Sequence, residues 1–407
     1  MKKTGNRPYL LVLLCCCLMA ASSIGIYTNS VGVFYTRVSA DLGVGRGAFA
    51  LHATLCSLVI GFLCPLTARL MKKVPFRLLI IAGSALSAGT TALMALARSV
   101  WVFYALGILR GIGMTTFSLM PVTTLINNWF KEKHGLAVGV ALSFSGLAGA
   151  AFSPLFSAII AASGWQAAFL WMAVFGFALT VPGMLLVHYR PEQIGRAPYG
   201  AEAGVSVQTA AAAAVPAAKI YLPAMILLSL MTLLHTSVTG IAQHFPGMSE
   251  WMGYEASVGA VMVSAGMIGN IVTKLIIGSL SDRVGPFKAC MCMITVNALA
   301  LVGLLLLGGA APWIMIAISF FYGAVYSVGA VGIPLLTRKL FGAENYSSTY
   351  SVIMIFTSVG SASALTIIGL LYDLTGGYAS ALIGGIGIDL INLCILCALM
   401  RMNRKRG

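Results

Sequence analysis

The chain has 407 residues, 59% hydrophobic and only 9% charged, with 25 basic residues against 10 acidic ones and a formal net charge of +15. Soluble domains carry about 25% charged residues. One or two such domains could not hide this much apolar sequence, which is what twelve membrane helices of ~20 residues would use. The basic residues come in short groups between long uncharged stretches, which excludes a nucleic-acid-binding face and reads as loop anchoring at a lipid bilayer.

In chain order, the uncharged run from Pro8 to Thr36 follows Lys2, Lys3 and Arg7. It is too long for the apolar region of a signal peptide and lacks a convincing small-residue cleavage site, so it predicts a retained first helix. Cutting at Gly, Pro and charge clusters predicts spans near residues 9–35, 47–69, 77–97, 100–126, 135–160 and 165–188. A second set falls near 220–244, 255–280, 288–308, 312–337, 347–372 and 378–400. Ser163-Gly164-Trp165 divides one long run and Gly308-Gly309-Ala310-Ala311-Pro312 another. Between the sets, Tyr189 to Ala218 is rich in Ala, Gly and Pro without apolar periodicity, and reads as a linker. The expected fold is an all-α polytopic membrane protein with twelve transmembrane helices in two pseudo-symmetric six-helix halves. Residues 1–188 form the first half, 189–218 a cytoplasmic linker and 219–407 the second half.

With the N-terminus placed in the cytoplasm, the loops on that side hold twenty of the 25 basic residues, while Arg37, Arg46 and Arg98 fall on the other. The positive-inside rule therefore predicts cytoplasmic termini for a multi-pass protein of the cell membrane. The two remaining bases, Arg110 and Lys274, lie inside the fourth and eighth spans, where a lone charge is costly. Nine cysteines sit in or beside apolar runs. The Cys394/Cys397 pair has no second Cys or His cluster to complete a metal site, so all nine read as packing residues.

Two loop sequences repeat. Met71-Lys72-Lys73-Val74-Pro75-Phe76-Arg77 lies on Ser281-Asp282-Arg283-Val284-Gly285-Pro286-Phe287-Lys288 with one inserted Gly, and Gly164-Trp165 before the sixth span echoes Gly377-Tyr378 before the twelfth. Such parallel repeats occur in the two halves of major facilitators. Gly278-Ser279-Leu280-Ser281-Asp282-Arg283-Val284-Gly285 resembles the G-x-x-x-D-R-x-G loop of that superfamily, and Leu109-Arg110-Gly111-Ile112-Gly113 resembles its R-x-x-G region. More narrowly, Trp129-Phe130-Lys131-Glu132-Lys133-His134-Gly135-Leu136-Ala137-Val138-Gly139 resembles the signature of the oxalate/formate antiporter and monocarboxylate transporter families. So does Gly32-Val33-Phe34-Tyr35 with the later Leu42-Gly43-Val44-Gly45-Arg46. The resemblance implies a secondary transporter working by alternating access, with Gly278, Asp282, Arg283 and Gly285 as a gating motif. It places Lys274 where both families put a carboxylate-binding Arg. There are departures: Asn270 stands where mammalian monocarboxylate transporters have an Asp associated with proton coupling, and Asn29 falls where they carry a Lys. Residues 345–372 lack the Lys of the oxalate-exchanger pattern.

Lys274 lies roughly 12 Å along a helix from Asp282. With Asn270 and Thr273 beside it, it suits a small carboxylate, and the alternative is a Lys snorkelling to the interface. Arg110 reads either as an anion partner or as a clamp onto helix carbonyls. His235 among Thr232, Thr236 and Ser237, Tyr27 and Asn29 in the first span, and the helix-turn pair Tyr322/Tyr326 complete the expected substrate-binding set. Asp389, in the twelfth span, is a possible proton carrier set against a peripheral position. No nucleotide-binding loop, catalytic triad or metal cluster is visible, so no enzymatic activity and no cofactor are expected. Two cations with almost no acid inside the spans favour a small mono- or dicarboxylate carried by proton symport or anion exchange. The partners expected are this anion, protons or a counter-transported anion, and the bilayer, with no nucleic acid. The rivals are an exporter of hydrophobic or cationic compounds, which would want a cavity acid, and a non-transporting sensor, which would usually add a regulatory domain.

Overall fold

The computed structural model describes residues 7–201 and 222–404. Among these the chain is helical between short turns, and the single extended pairing is an isolated bridge between Phe130 and Tyr199. Ten stretches are long and apolar enough to cross a bilayer. Two of them, His134–Gly183 and Pro312–Ala364, run for 50 and 53 residues, about 75 Å at ~1.5 Å per residue against a hydrocarbon core of about 30 Å. Each lies in a helix that turns at a left-handed glycine, Gly164 (φ 84°) or Gly342 (φ 79°), a conformation that other residues enter only with strain. Divided there, the ten stretches make twelve helices.

In chain order, α1 begins as Arg7–Ala20 and ends as Tyr35–Asp41, α2 is Arg46–Lys73, and α3 is Phe76–Met94. Next, α4 comprises Val100–Met114 and Leu119–Trp129, with α5 and α6 either side of Gly164 in His134–Leu186. Then α7 comprises Leu222–Val238 and Phe245–Trp251, followed by α8 (Ala256–Val284) and α9 (Pro286–Leu306). Finally, α10 starts as Pro312–Tyr322 and runs to Gly342, α11 continues from there to Thr375, and α12 is Ala379–Arg404. The chain clusters into two compact units, Met1–Ala218 with Tyr346–Ile355, and Lys219–Asn345 with Phe356–Gly407. Most of the expected linker, and the bases Lys2, Lys3, Lys219, Lys405 and Arg406, lie outside the described residues.

Side chains sort as a bilayer demands. Large apolar residues such as Leu96, Trp101 and Leu374 face outward, at 75–81% exposure, which water would penalise and lipid does not. Inside, many hydroxyls return to carbonyls one turn back, as Thr91 does to Ser87 O at 2.7 Å and Thr232 to Leu228 O at 2.7 Å, which pairs these buried groups within their own helix.

Four of the spans predicted as continuous are broken. α1 loosens into a π-helical stretch, Ala21–Asn29, and a 3-10 turn, Val31–Phe34. There Thr28 and Ser30 donate to carbonyls five residues back, Ser23 O and Gly25 O, replacing ordinary helix bonds. α4 breaks between Met114 and Leu119, α7 becomes 3-10 over Thr239–His244, and α10 turns π-helical over Val328–Gly332. These last three breaks lie just before Pro121, Pro246 and Pro334, whose rings clash with the preceding turn and cannot donate to it. Irregular backbone at membrane depth is tolerated only inside protein or along a wetted cavity, so the broken helices mark where a site can lie in each unit.

The repeat extends into packing. Counted from the paired loops, Cys56 and Val59 on α2 correspond to Gly266 and Gly269 on α8. Counted from the helix starts, Gly111 on α4 corresponds to Gly323 on α10. A Cβ on Gly111 would lie 2.7 Å from Cys56 O and 3.0 Å from Val59 Cβ; on Gly323 it would lie 2.6 Å from Gly266 O and 2.5 Å from the Gly269 carbonyl carbon. The same helix pair thus crosses backbone to backbone at the same point in both units.

Candidate functional site

In the first unit, Arg110 is held on α4 one residue before that crossing and is 1% exposed. Its Nη1 meets Met94 Sδ at 3.9 Å, while Nε is buried without a partner. Its charge is felt at Tyr27, Tyr35 and His52, so α1 and α2 both contribute to its surroundings. Tyr27 is buried in the π-helical stretch, its hydroxyl donating to Ala173 O at 3.5 Å and its ring covering Gly176. His52 donates from Nδ1 to Phe49 O, 2.6 Å away, leaves Nε2 buried without a partner, and is ringed by Tyr35, Phe49 and Phe103. Asn29 sits apart from this group, exposed, its amide donating to Ser145 O on α5 at 3.2 Å.

In the second unit, Lys274 and Asn270 are one turn apart on α8 and each is 4% exposed. Burial of Lys274 to this degree does not fit a side chain snorkelling into solvent. Asn270 keeps its carbonyl oxygen buried without a partner, and Thr273 between them donates to Gly323 O on α10 at 3.2 Å. His235 on α7 is fully buried, with Nε2 at 2.8 Å from Val325 O just before the π-helical stretch of α10 and Nδ1 without a partner. Tyr322 and Tyr326 stand edge to face, 6.3 Å apart. Their hydroxyls donate to Val238 O at 2.7 Å and Thr239 O at 3.4 Å, carbonyls released where α7 breaks. The two tyrosines therefore cap a broken helix, and their hydroxyls are already engaged.

Of the loop motif, Gly278 is buried, and Asp282 and Arg283 are exposed at the end of α8. Gly285 (φ 88°, ψ 157°) links α8 directly to Pro286 at the start of α9, a conformation reserved for glycine. Sequence reasoning did not assign Tyr35 and His52 to the Arg110 group. Spacing gives no hint of it, because they come from the first and second helices.

Each unit thus places one buried cation, Arg110 or Lys274, among helices that include broken ones. The Major Facilitator Superfamily model matches residues 11–365 and 225–406. The chain is a member of the major facilitator superfamily. It is 24% identical to monocarboxylate transporter 13 of Bos taurus over 87% of this chain and 80% of that one. It is 25% identical to the oxalate:formate antiporter of Oxalobacter formigenes over 85% and 80%. Among solved structures, the facilitator FucP in its outward conformation superposes with a TM-score of 0.68, at 13% identity over 95% of this chain and 98% of that one. The Escherichia coli fucose:proton symporter FucP superposes at 0.67, with 14% identity. This facilitator is therefore a multi-pass membrane transporter and not an enzyme, as the sequence led one to expect.

Proposed function

We propose that this facilitator moves a small organic anion, a mono- or dicarboxylate, by alternating access, through proton symport or anion exchange. The observation that carries the reading is Lys274: a cation 4% exposed at mid-helix, beside the open carbonyl of Asn270, in a chain whose relatives are named for monocarboxylates and for oxalate and formate. Lys274 supplies the counter-charge, which gains strength where water is partly excluded. Arg110 is the second anion partner, with its free Nε as the donor. Asn270, Asn29 and His235 offer polar contacts, and Tyr27, Tyr322 and Tyr326 shape the walls. Gly278, Asp282, Arg283 and Gly285 act as the gate, biasing one state over the other without touching substrate. Both termini face the cytoplasm, with the protein in the cell membrane.

The test is uptake by proteoliposomes of purified protein across a panel of radiolabelled mono- and dicarboxylates, with and without an imposed pH gradient. Saturable uptake of at least one is expected, and the gradient's effect separates symport from exchange. Saturable uptake of none overturns the substrate class. Orientation is read separately, by a Gln193→Cys variant on the exposed 3-10 turn Pro191–Ile194. Labelling of that thiol by an impermeant reagent in intact cells overturns the topology.

A further inference from the structure

The transport reading assigns no role to the buried acid of the second unit. Asp389, at the middle of α12, is 0% exposed, as are Asn297 on α9 and Asn392 one turn along α12. Asp389 Oδ2 accepts a 2.6 Å hydrogen bond from Asn297 Nδ2. Four other polar atoms of these same three side chains are buried without a partner: Asp389 Oδ1, Asn297 Oδ1, and both Oδ1 and Nδ2 of Asn392. Buried polar groups are ordinarily paired, and most strictly so inside a bilayer.

The fold does not require this cluster. Counted from Gly164-Trp165 and Gly377-Tyr378, Asp389 occupies the place of Gly176 on α6, whose carbonyl accepts from Ser22 and Thr180 and whose open face the Tyr27 ring covers. The first unit fills the same space with no acid at all.

The charge has no close counter-ion on the elements that pack against it. α12 lies on α9 and α7, and the bases of α9 and α12 are Lys288, Arg401 and Arg404, at helix ends ~13 Å or more along the axes. On α7, His235 is committed at Nε2 to Val325 O. Also on α7, His244 lies against the Tyr378 ring just before α12, 5.7 Å between centroids and ~16 Å along the axis from Asp389, and Glu250 is itself an acid; Cys290, Cys292, Cys394 and Cys397 carry no positive charge in any state. Tyr322 of α10, whose hydroxyl feels Asp389, carries none either. An ionised carboxylate here would be buried without a cation, which costs far more than the neutral acid.

We propose that Asp389, Asn297 and Asn392 form a proton-binding site within the second unit. One proton from water bonds to Asp389 Oδ1, cancels its charge and makes that oxygen a donor; release returns the proton to water. The added donor removes the uncompensated charge and completes the cluster's hydrogen bonds. The Asn392 amide can serve the oxygens of Asp389 and Asn297, and its own carbonyl oxygen takes the new O–H, where the ionised cluster offers it only the second N–H of Asn297. With the proton in place, Asp389 O–H donates to Asn392 Oδ1, Asn392 Nδ2 donates to Asn297 Oδ1, and Asn297 Nδ2 continues to donate to Asp389 Oδ2. The ring closes with every one of the four orphaned atoms paired. A cation held by the three oxygens is the competing occupant, but it would leave Asn392 Nδ2 orphaned.

The experiment is infrared spectroscopy of the purified full chain in lipid nanodiscs, in the carbonyl-stretch region of protonated carboxyl groups. It uses no substrate, so its outcome is independent of the carboxylate reading. Wild type should show a protonated-carboxyl band at neutral pH, lost in Asp389→Asn. Asn392→Leu and Asn297→Leu keep the acid but change its hydrogen bonds, so each should shift the band, which keeps the test open if Asp389→Asn fails to fold. No such band in wild type at neutral pH, or a band unmoved in all three variants, overturns the proposal. A sodium-dependent rise in the melting temperature of wild type, lost in Asn392→Leu and accompanied by no carboxyl band, overturns it in favour of a cation.

Discussion

The two units share a scaffold and part company in chemistry. At the same helix crossing, marked by Gly111 in one and Gly323 in the other, the preceding residue is Arg110 in the first unit and Tyr322 in the second. Both approach the break in the first helix of their unit: Arg110 acts on Tyr27 in the π-helical part of α1, and Tyr322 caps Val238 where α7 breaks. Arg110 brings a charge there and Tyr322 brings a neutral donor. The cation of the second unit sits instead on α8, at Lys274, and its counterpart on α2 is Cys64, a buried thiol. Helix crossings are fixed by backbone contact and so persist in both halves, whereas the residues beside them are free to diverge into one acidic, one cationic or one neutral site.

The largest expected effect tests this asymmetry at Lys274. Lys274→Gln should abolish transport of the carboxylate, while Lys274→Arg keeps part of it because the charge survives. Losing a charge-assisted contact in a partly desolvated site should weaken binding by roughly 1.5–3 kcal/mol, about tenfold or more. Cys64→Ala, at the equivalent place, should transport nearly as wild type does. Equal dissociation constants for wild type and Lys274→Gln in equilibrium binding would remove Lys274 from the site.

Next comes the shared crossing. A methyl on Gly323 meets only backbone, the Gly269–Asn270 peptide and Gly266 O, all within 2.6 Å, whereas on Gly111 it meets one carbonyl and the Val59 side chain. Overpacking costs typically 1–3 kcal/mol, so Gly323→Ala should fall at the upper end of that range and Gly111→Ala nearer the lower. Melting temperatures of the two purified variants decide it, and an equal loss would mean that the α8–α10 contact can slide apart as easily as α2–α4.

What the sequence made legible, and what it did not, follows from the solvent. Charge clusters and glycine turns showed the spans, because lipid excludes charge so strictly that loops announce themselves. The faces of the helices were silent: every side of a membrane helix is apolar, so nothing in the α12 sequence distinguishes Asp389 pointing outward from Asp389 meeting Asn297. The breaks in α4, α7 and α10 had a sign in Pro121, Pro246 and Pro334, each placed to disturb the turn before it. The break in α1 had only Thr28 and Ser30, whose bonds to carbonyls five residues back cannot be told in sequence from ordinary hydroxyls. Of the candidate site, the two cations were visible as misplaced charges, while the company Arg110 keeps with Tyr35 and His52 arises from tertiary packing alone.

A smaller effect separates the two residues before the glycines. Tyr322→Phe removes one hydroxyl that caps the α7 break and should lower stability by about 1 kcal/mol while leaving carboxylate affinity within about twofold, since the phenol is committed to Val238. Arg110→Gln should do the opposite, weakening affinity more than it lowers the melting temperature. If Tyr322→Phe instead cost affinity and spared stability, the second unit would be using its phenol as the first uses its guanidinium.

The least effect is expected at the paired loops, where Asp282 after α8 corresponds to Lys72 after α2. The two carry opposite charges on the same scaffold. Lys72 donates from an exposed position to Ser348 Oγ at 3.2 Å, a neutral partner in water, so Lys72→Met should change transport little. Asp282 belongs to the loop that keeps the full motif, closed by a Gly285 conformation that the Val74-Pro75 loop does not use. Asp282→Asn should therefore slow turnover while leaving the equilibrium dissociation constant for the carboxylate unchanged, because a gate acts on the balance between states. Exposed charged contacts are worth about 0.2–1 kcal/mol, which limits the slowing to roughly fivefold. Turnover measured by exchange, alongside binding to the same preparation, gives both quantities. Loss of binding in a folded Asp282→Asn protein would place that carboxylate in the substrate site rather than at the gate.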